Sequence, residues 1–119
     1  MVKLVMHETR RLNQNEIIDV KLWEVPVLKD NPDGVTYSLN YRIFDKSEGD
    51  WEAIIRYDNA HKYKNHKTKH HRHIGNEVQE IKFKDLDKLY SELLEIRNKM
   101  KKERKIHKID EVDSWEDLK

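Results

Sequence analysis

The sequence predicts an α+β protein in which an antiparallel five- or six-stranded meander sheet packs against one long C-terminal helix. Apolar and polar residues alternate with period two over residues 35–43, which is typical of a half-buried strand. After residue 85 the apolar residues recur every three or four positions, as in an amphipathic helix. Strand and helix patterns do not alternate along the chain, so we do not expect a parallel sheet.

The strand-like segments are separated by turn signals rich in Asn, Asp and Gly. We expect strands over residues 3–12, 16–25, 35–43, 51–58, 70–74 and 77–83. The strongest turn signal is the Asp-Asn-Pro-Asp-Gly run over residues 30–34. These short connections favour strands that pair in chain order.

Period-two alternation assigns each strand side chain to a face of the sheet. In the second strand the expected core-facing row is Ile18, Val20 and Leu22. Trp23 lies on the opposite face, so we expect this strand to be covered on both sides. The expected core-facing row of the fourth strand is Trp51, Ala53, Ile55 and Tyr57. Trp23 and Trp51 are therefore predicted to be core residues.

The helix is predicted to begin after Asp85, whose side chain can cap the free backbone N–H groups of the first turn. Its apolar stripe consists of Leu86, Leu89, Leu93, Ile96 and Met100. The basic residues of 101–108 suit the negative end of the helix dipole. We expect one domain over residues 1–108 and an acidic, solvated tail over residues 109–119.

The composition limits the classes of protein that this chain can belong to. Charged residues make up 39% of the chain, yet the formal net charge is only +1, and the aromatic content argues against disorder. The chain has no cysteine, which excludes disulfides and thiolate metal sites. No apolar run approaches the roughly 20 residues of a membrane helix. The first eight residues lack the apolar core of a signal peptide. We therefore expect a soluble, cytoplasmic protein.

The most unusual segment lies over residues 61–73, which hold five histidines and five Lys or Arg but no acidic residue. Such a basic patch can hold phosphate groups. It is flanked by Tyr57-Asp58-Asn59 on one side, and it ends in His70-His71-Arg72-His73.

If the segment folds back as a hairpin, the two flanking motifs meet across a strand pair. Alternation places His71 and His73 on one side of the chain, and His70 and Arg72 on the other. We expect residues 57–59 and 70–73 to converge on one small surface.

This set of side chains suits the cleavage of RNA without a cofactor. Histidine transfers protons near neutral pH, so His71 and His73 are the expected acid and base. Arg72 can steady phosphate charge, Asp58 can orient an imidazole, and Tyr57 can act as an auxiliary proton donor. The expected substrate-binding residues are Asn59, Lys62, Lys64, Lys67, Lys69 and His70.

A second chemistry open to these residues is a metal site. His71 and His73, together with Asp58 or His66, could bind zinc or another divalent ion and support a metal-dependent nuclease. His-x-His spacing also arises by chance in a histidine-rich loop. We expect His61 and His66, in the middle of the loop, to take no part in catalysis.

A third alternative is a cationic hairpin that binds a nucleic-acid backbone, or another partner, without cutting it. Charge and composition alone favour this alternative slightly over catalysis. The residues themselves leave all three alternatives open.

The two motifs resemble the signature of the TumE-like toxin family of toxin–antitoxin systems, in which Tyr-Asp-Asn closes a strand and a His-His-basic-His-apolar-Gly run follows a loop. The matching runs here are Tyr57-Asp-Asn-Ala60 and His70-His-Arg-His-Ile-Gly75. The surroundings are similar in Trp23-Glu-Val-Pro26, in the Tyr-rich strand over residues 37–41 and in the leucine-rich helix. The loop between the motifs is more basic than the proline-containing loop of many relatives.

The resemblance implies a toxin that acts on RNA and is neutralised by a helix-turn-helix antitoxin. The motif positions carried over from the family are Tyr57, Asp58, Asn59, His70, His71, Arg72 and His73. The end of the apolar helix stripe near Met100 is a candidate contact for the antitoxin or for a second copy in a homodimer.

Overall fold

In the computed structural model, which describes residues 2–29, 31–60 and 68–103, six antiparallel strands form one sheet and one helix follows them. The strand order in the sheet is the order in the chain. The elements are β1 (Lys3–Asn13), β2 (Glu16–Glu24), β3 (Val35–Asp45), β4 (Asp50–Asp58), β5 (His71–Ile74), β6 (Glu77–Glu80) and α1 (Leu86–Lys102). The predicted α+β meander with a C-terminal helix is confirmed.

The core lies between one face of the sheet and the helix. Its buried apolar residues come from β2, β3, β4 and α1: Ile18, Val20, Tyr37, Leu39, Tyr41, Ile43, Ile55, Tyr57, Leu89 and Leu93. The alternation predicted for β2 and β3 is confirmed, because every second residue of these strands faces α1. Burying each such leucine side chain stabilises the fold by roughly 1.5–3 kcal/mol.

The helix begins as predicted, with the Asp85 carboxylate accepting a hydrogen bond of 2.8 Å from the backbone N–H of Lys88. It ends at Lys102, where the N–H of Glu103 donates to the carbonyl of Lys99. Two predicted segments lie outside the described residues. They are the part of the basic segment 101–108 beyond residue 103 and the acidic tail over 109–119. Across the described residues, no helix combines the length and apolarity needed to cross a membrane.

The core-facing row predicted for β4 is wrong in its first half because of a β-bulge. Tyr41 pairs with Ile55 and Arg42 pairs with Ala53, which leaves Ile54 as an extra residue. One extra residue moves all preceding side chains to the other face. Ile55 and Tyr57 therefore lie in the core, whereas Ala53 is exposed. Trp51 is half-buried beside Phe44, and their ring centroids are 5.4 Å apart.

Trp23 is also not a core residue. Trp23 is exposed, with a relative solvent accessibility of 36%. The prediction that β2 is covered on both sides holds for its first half, where Ile17 and Asp19 are buried on the face opposite α1, and fails at Trp23 near its end.

The last strand is shorter than predicted, since β6 ends at Glu80 and not at residue 83. The N–H of Ile81 still donates to the carbonyl of His70 at 3.2 Å. Phe83 leaves the sheet and stacks on the rings of Tyr37 and His70, each with a centroid distance of 4.9 Å. This segment therefore closes the core and leads into the helix.

A buried ion pair joins the start of β2 to the helix. Glu16 is completely buried, and the Arg97 guanidinium donates to its two carboxylate oxygens at 3.0 and 3.1 Å. The Tyr41 hydroxyl and the Asn13 side-chain amide also donate to this carboxylate. Burial and the adjacent Glu16 charge raise the pKa of Tyr41, so its hydroxyl remains a proton donor. A buried charge of this kind is tolerated only because it is paired and fully hydrogen-bonded.

Removing one partner of this pair should be costly. We expect Glu16→Ala to lower the free energy of unfolding by about 3–5 kcal/mol, because it leaves the Arg97 charge buried without its counter-ion. The double variant Glu16→Gln/Arg97→Met should lose less than Glu16→Ala alone. The matched control is Glu8→Ala, since the Glu8–Arg10 pair is almost half exposed and should contribute at most about 1 kcal/mol. Urea denaturation measures all three, and equal losses for Glu8→Ala and Glu16→Ala would contradict the prediction.

Candidate functional site

The pairing of β4 with β5 brings the two sequence motifs together. Asp58 lies opposite His71, Tyr57 opposite Arg72, and Arg56 opposite His73. Paired residues share a face of the sheet, and neighbours along a strand alternate between faces. The two motifs therefore meet as predicted, but their side chains divide between the two faces.

Asp58, His71 and His73 gather on the face that α1 leaves uncovered, and we call these three residues the open-face cluster. The Nε2 atom of His71 is 2.8 Å from Oδ1 of Asp58, and Nε2 of His73 is 3.9 Å from Oδ2. The two imidazole rings meet edge to face, with centroids 4.9 Å apart. Asp58 thus contacts or approaches both histidines from the neighbouring strand.

Backbone contacts hold the open-face cluster in place. The Nδ1 atom of His71 is 2.7 Å from the carbonyl oxygen of Lys69. A carbonyl only accepts, so Nδ1 carries a proton and Nε2 is directed at Asp58. The N–H of Ala60 donates to Oδ1 of Asp58 at 3.1 Å. Both the imidazole and the carboxylate are therefore oriented by groups outside the cluster.

The three side chains differ in their access to solvent. The side chain of His71 is 1% exposed, that of His73 is 11% exposed and that of Asp58 is 24% exposed. Burial lowers the pKa of His73, with smaller contributions in the same direction from Arg56 and His71, and Asp58 opposes them. The neutral form of His73 is favoured, and this form has a lone pair that can accept a proton or a metal ion.

Arg56 also lies near this cluster, although it belongs to neither sequence motif. It is exposed, lies opposite His73 in the strand register and acts on the charge of His73. The alternation of side chains along β4 places Arg56 on the same face as Asp58. This alternation could have identified Arg56 from the sequence alone.

Tyr57 and Arg72 lie on the helix side and not with the open-face cluster. Tyr57 is fully buried and its hydroxyl donates to Oε1 of Glu92 at 3.1 Å. Arg72 forms an ion pair with Glu92, and its Nε donates to Gln79 at 2.8 Å. Burial raises the pKa of Tyr57 to about 12, and Arg72 opposes that shift. The expected single convergent surface is thus wrong, because adjacent strand residues point in opposite directions.

Asn59, expected to bind substrate, is 5% exposed and continues the β3–β4 pairing beyond the end of β4. Its Oδ1 accepts from the N–H of Tyr37 at 3.0 Å, and its Nδ2 donates to the carbonyl of Val35 at 2.8 Å. The amide replaces the backbone groups that another strand residue would supply. Both ends of the Asn59 side-chain amide are therefore hydrogen-bonded to the protein backbone.

His70, also expected to bind substrate, is 8% exposed and lies beside Tyr37 under the ring of Phe83, which stacks on both. Its ring stacks on Phe83, and its Nδ1 lies 2.8 Å from the hydroxyl of Tyr37. Its Nε2 is 2.7 Å from the carboxylate of Asp33. His70 thus ties the loop before β3 to the start of β5.

The lysines predicted to bind substrate are only partly described. Lys69 is half-buried, and its carbonyl oxygen positions His71. The remaining residues of this prediction, Lys62, Lys64 and Lys67, lie outside the described residues, as do His61 and His66.

Together, the sheet, the helix that follows it and the histidine–carboxylate cluster define, over the described residues, a small α+β protein with a polar site at the joined ends of β4 and β5. The family model described as Toxin TumE matches residues 4–101. The chain therefore belongs to the TumE toxin family, as its motifs indicated. Membership in a family of toxin–antitoxin toxins implies an antitoxin partner. The comparisons with curated proteins and with solved structures found no match.

The buried position of Asn59 leads to a prediction about stability. We expect Asn59→Ala to lower the free energy of unfolding by about 1–3 kcal/mol, because the N–H of Tyr37 and the carbonyl of Val35 lose their partners. Thermal and urea unfolding measure this loss. An unchanged stability combined with weaker RNA binding would instead support the substrate-binding role expected from the sequence.

Proposed function

We propose that this chain is a cytoplasmic endoribonuclease toxin and that the open-face cluster is its catalytic centre. The observation that carries the proposal is the juxtaposition of Asp58, His71 and His73 beside the exposed Arg56 on the face of the sheet opposite α1. The match to a toxin family supports the general class of activity. The residue types support the choice of RNA, which carries its own nucleophile in the 2′-hydroxyl group.

Cleavage of RNA by its own 2′-hydroxyl needs a group that accepts the hydroxyl proton. In this proposal His73 accepts it, because His73 is the more exposed of the two histidines and its neutral form is favoured. The 2′-oxygen then bonds to phosphorus while the bond to the 5′-oxygen breaks, and the leaving oxygen takes up a proton from solvent, which reaches the site beside the partly exposed Asp58. The products are a 2′,3′-cyclic phosphate and a 5′-hydroxyl end.

The other two cluster residues position His73 and the substrate. His71 is almost completely buried, so its role in this proposal is to hold the Asp58 carboxylate, 2.8 Å away, beside His73. Asp58 faces both imidazoles, and its partial exposure lets solvent and substrate approach. Removing such an orienting group lowers the rate even when it does not touch RNA.

Phosphate charge is balanced by cations on the same face. Arg56 is exposed and in register with His73. In sequence, the chain between β4 and β5 also carries Lys62, Lys64 and Lys67, whose charges suit binding of the RNA backbone. Tyr57 and Arg72 are assigned to support of β4 and β5 from the helix side. Their bonds to Glu92 lie in the network behind the sheet.

The proposed antitoxin is a helix-turn-helix protein, as the motif resemblance implies. A gene for such a protein beside the gene for this chain, and loss of toxicity when both are expressed, would support that partner. Unchanged toxicity in its presence would exclude it.

Replacing either cluster histidine should abolish the activity. We expect His73→Ala to reduce the cleavage rate of purified RNA by about 10²–10⁴-fold, the usual contribution of a general base. His71→Ala should also abolish growth inhibition in cells, and circular dichroism should show that both variants stay folded. The control is His7→Ala, since His7 is exposed on β1 outside the cluster. Full toxicity in both cluster variants would refute the proposal.

RNA that stays intact while it binds would favour the alternative function, a protein that holds a nucleic-acid backbone without cutting it. The specific observation behind this alternative is the basic charge of the β4–β5 connection. Salt-sensitive binding without any cyclic phosphate product would establish it.

Arg56 provides a separate test of where RNA binds. We expect Arg56→Gln to weaken RNA binding and to reduce the slope of log affinity against log salt by roughly 0.7–0.9, the loss of one phosphate contact. Arg10→Gln is the matched control, because Arg10 lies over the ring of Tyr90 on the helix side. Filter binding at several salt concentrations measures both. Equal losses for the two variants would argue against the open face as the RNA surface.

A further inference from the structure

We propose that the open-face cluster is a binding site for one divalent transition-metal ion of the zinc class. The inference rests on the same three residues as the proposed function, but it requires only metal binding and not RNA cleavage. Its evidence is the position, orientation and chemistry of the three donor groups.

The donor atoms are close enough to share one ion. One ring nitrogen from each histidine and one oxygen of Asp58 all lie within 4.8 Å of one another. In a tetrahedral site with metal–ligand distances of about 2.0–2.1 Å, donor atoms lie about 3.3 Å apart. Nε2 of His71 lies 2.8 Å from Oδ1 of Asp58 and Nε2 of His73 lies 3.9 Å from Oδ2, and these separations fall on either side of that value. Small side-chain rotations would seat the ion.

The surroundings orient the donors as they do around bound metals. A metal-binding histidine usually donates its other ring N–H to a carbonyl or carboxylate. His71 does so through Nδ1, which leaves Nε2 directed into the cluster at Asp58. The Asp58 carboxylate is itself held by the N–H of Ala60.

Both ring nitrogens of His71 face oxygen atoms, namely the carbonyl of Lys69 and the carboxylate of Asp58. A metal ion placed between Nε2 and Asp58 would be bound by both groups at once.

The donor set selects the class of metal. Two imidazoles and one carboxylate suit zinc, cobalt and related ions, whereas magnesium and calcium prefer oxygen donors throughout. Three protein ligands with one solvent-facing side are the arrangement of catalytic zinc sites. The partial exposure of Asp58 provides that side. Coordination uses the lone pair of His73, so in the metal-loaded protein His73 is a ligand and not the proton acceptor.

The test is metal binding by the full-length protein after treatment with a chelator and removal of the chelator. Cobalt(II) serves as the probe, because nitrogen and oxygen coordination gives it visible absorption bands, and zinc should displace it. We expect one equivalent per chain, and an affinity at least about tenfold lower in His71→Ala, His73→Ala and Asp58→Asn. Asp58→Asn keeps the shape of a partly exposed side chain, which guards against simple unfolding.

Two controls separate this site from chance binding by other histidines. His7→Ala removes an exposed histidine of β1, and His61→Ala/His66→Ala removes both histidines of the β4–β5 connection. Both controls should bind cobalt as the wild type does. Substoichiometric binding, or binding lost only in the His61/His66 variant, would overturn the metal site.

RNA cleavage measured in the same samples distinguishes the two proposals. Stoichiometric metal binding without RNA cleavage would support the metal site and refute the ribonuclease. Cleavage at full rate in chelator, with no cobalt bound, would refute the metal site and support direct proton transfer by His73. Cleavage that requires restored metal would support the metal site and ribonuclease activity, and it would refute the role of His73 as the proton acceptor.

Discussion

The antiparallel register of β4 with β5 determines which side chains of this protein can act together. Asp58 lies opposite His71, and the next pair along joins Tyr57 with Arg72. Because strand side chains alternate, these two pairs face opposite sides of the sheet. A shift by one residue would exchange them and would bury the histidine–carboxylate cluster under the helix. The chemistry of the open face therefore depends on the same hydrogen bonds that hold the sheet together.

On the side of the sheet that α1 covers, charged side chains form ion pairs with one another. Glu16 pairs with Arg97, and Glu92 pairs with Arg72, each between the sheet and α1. Burial requires such pairing, because an isolated charge loses its hydration there. These pairs join strands near both ends of the sheet to one helix, so the helix supports β5 from behind. Rigid support of this kind is what a site needs when its geometry must be held closely.

Much of the fold was predictable from local patterns, and the errors have identifiable causes. The β3 alternation and the Asp85 cap are short-range signals, and the structure confirms both. The bulge at Ile54 leaves no local signal, so Trp51 and Ala53 were assigned to the wrong face. Asn59 carries polar groups that look functional in sequence. Only the contacts across 22 and 24 residues show that its amide completes the backbone pairing of β3.

The sequence by itself determined the fold class, the family motif and the grouping of His71 with His73, because each depends on residue type and spacing within one strand. The tertiary structure decided the partners. It placed Asp58 beside His71 and near His73, moved Tyr57 and Arg72 to the helix side and stacked His70 on Phe83. These outcomes depend on register and on the face that the helix covers. Both are set by packing between segments far apart in the chain, which local patterns do not record.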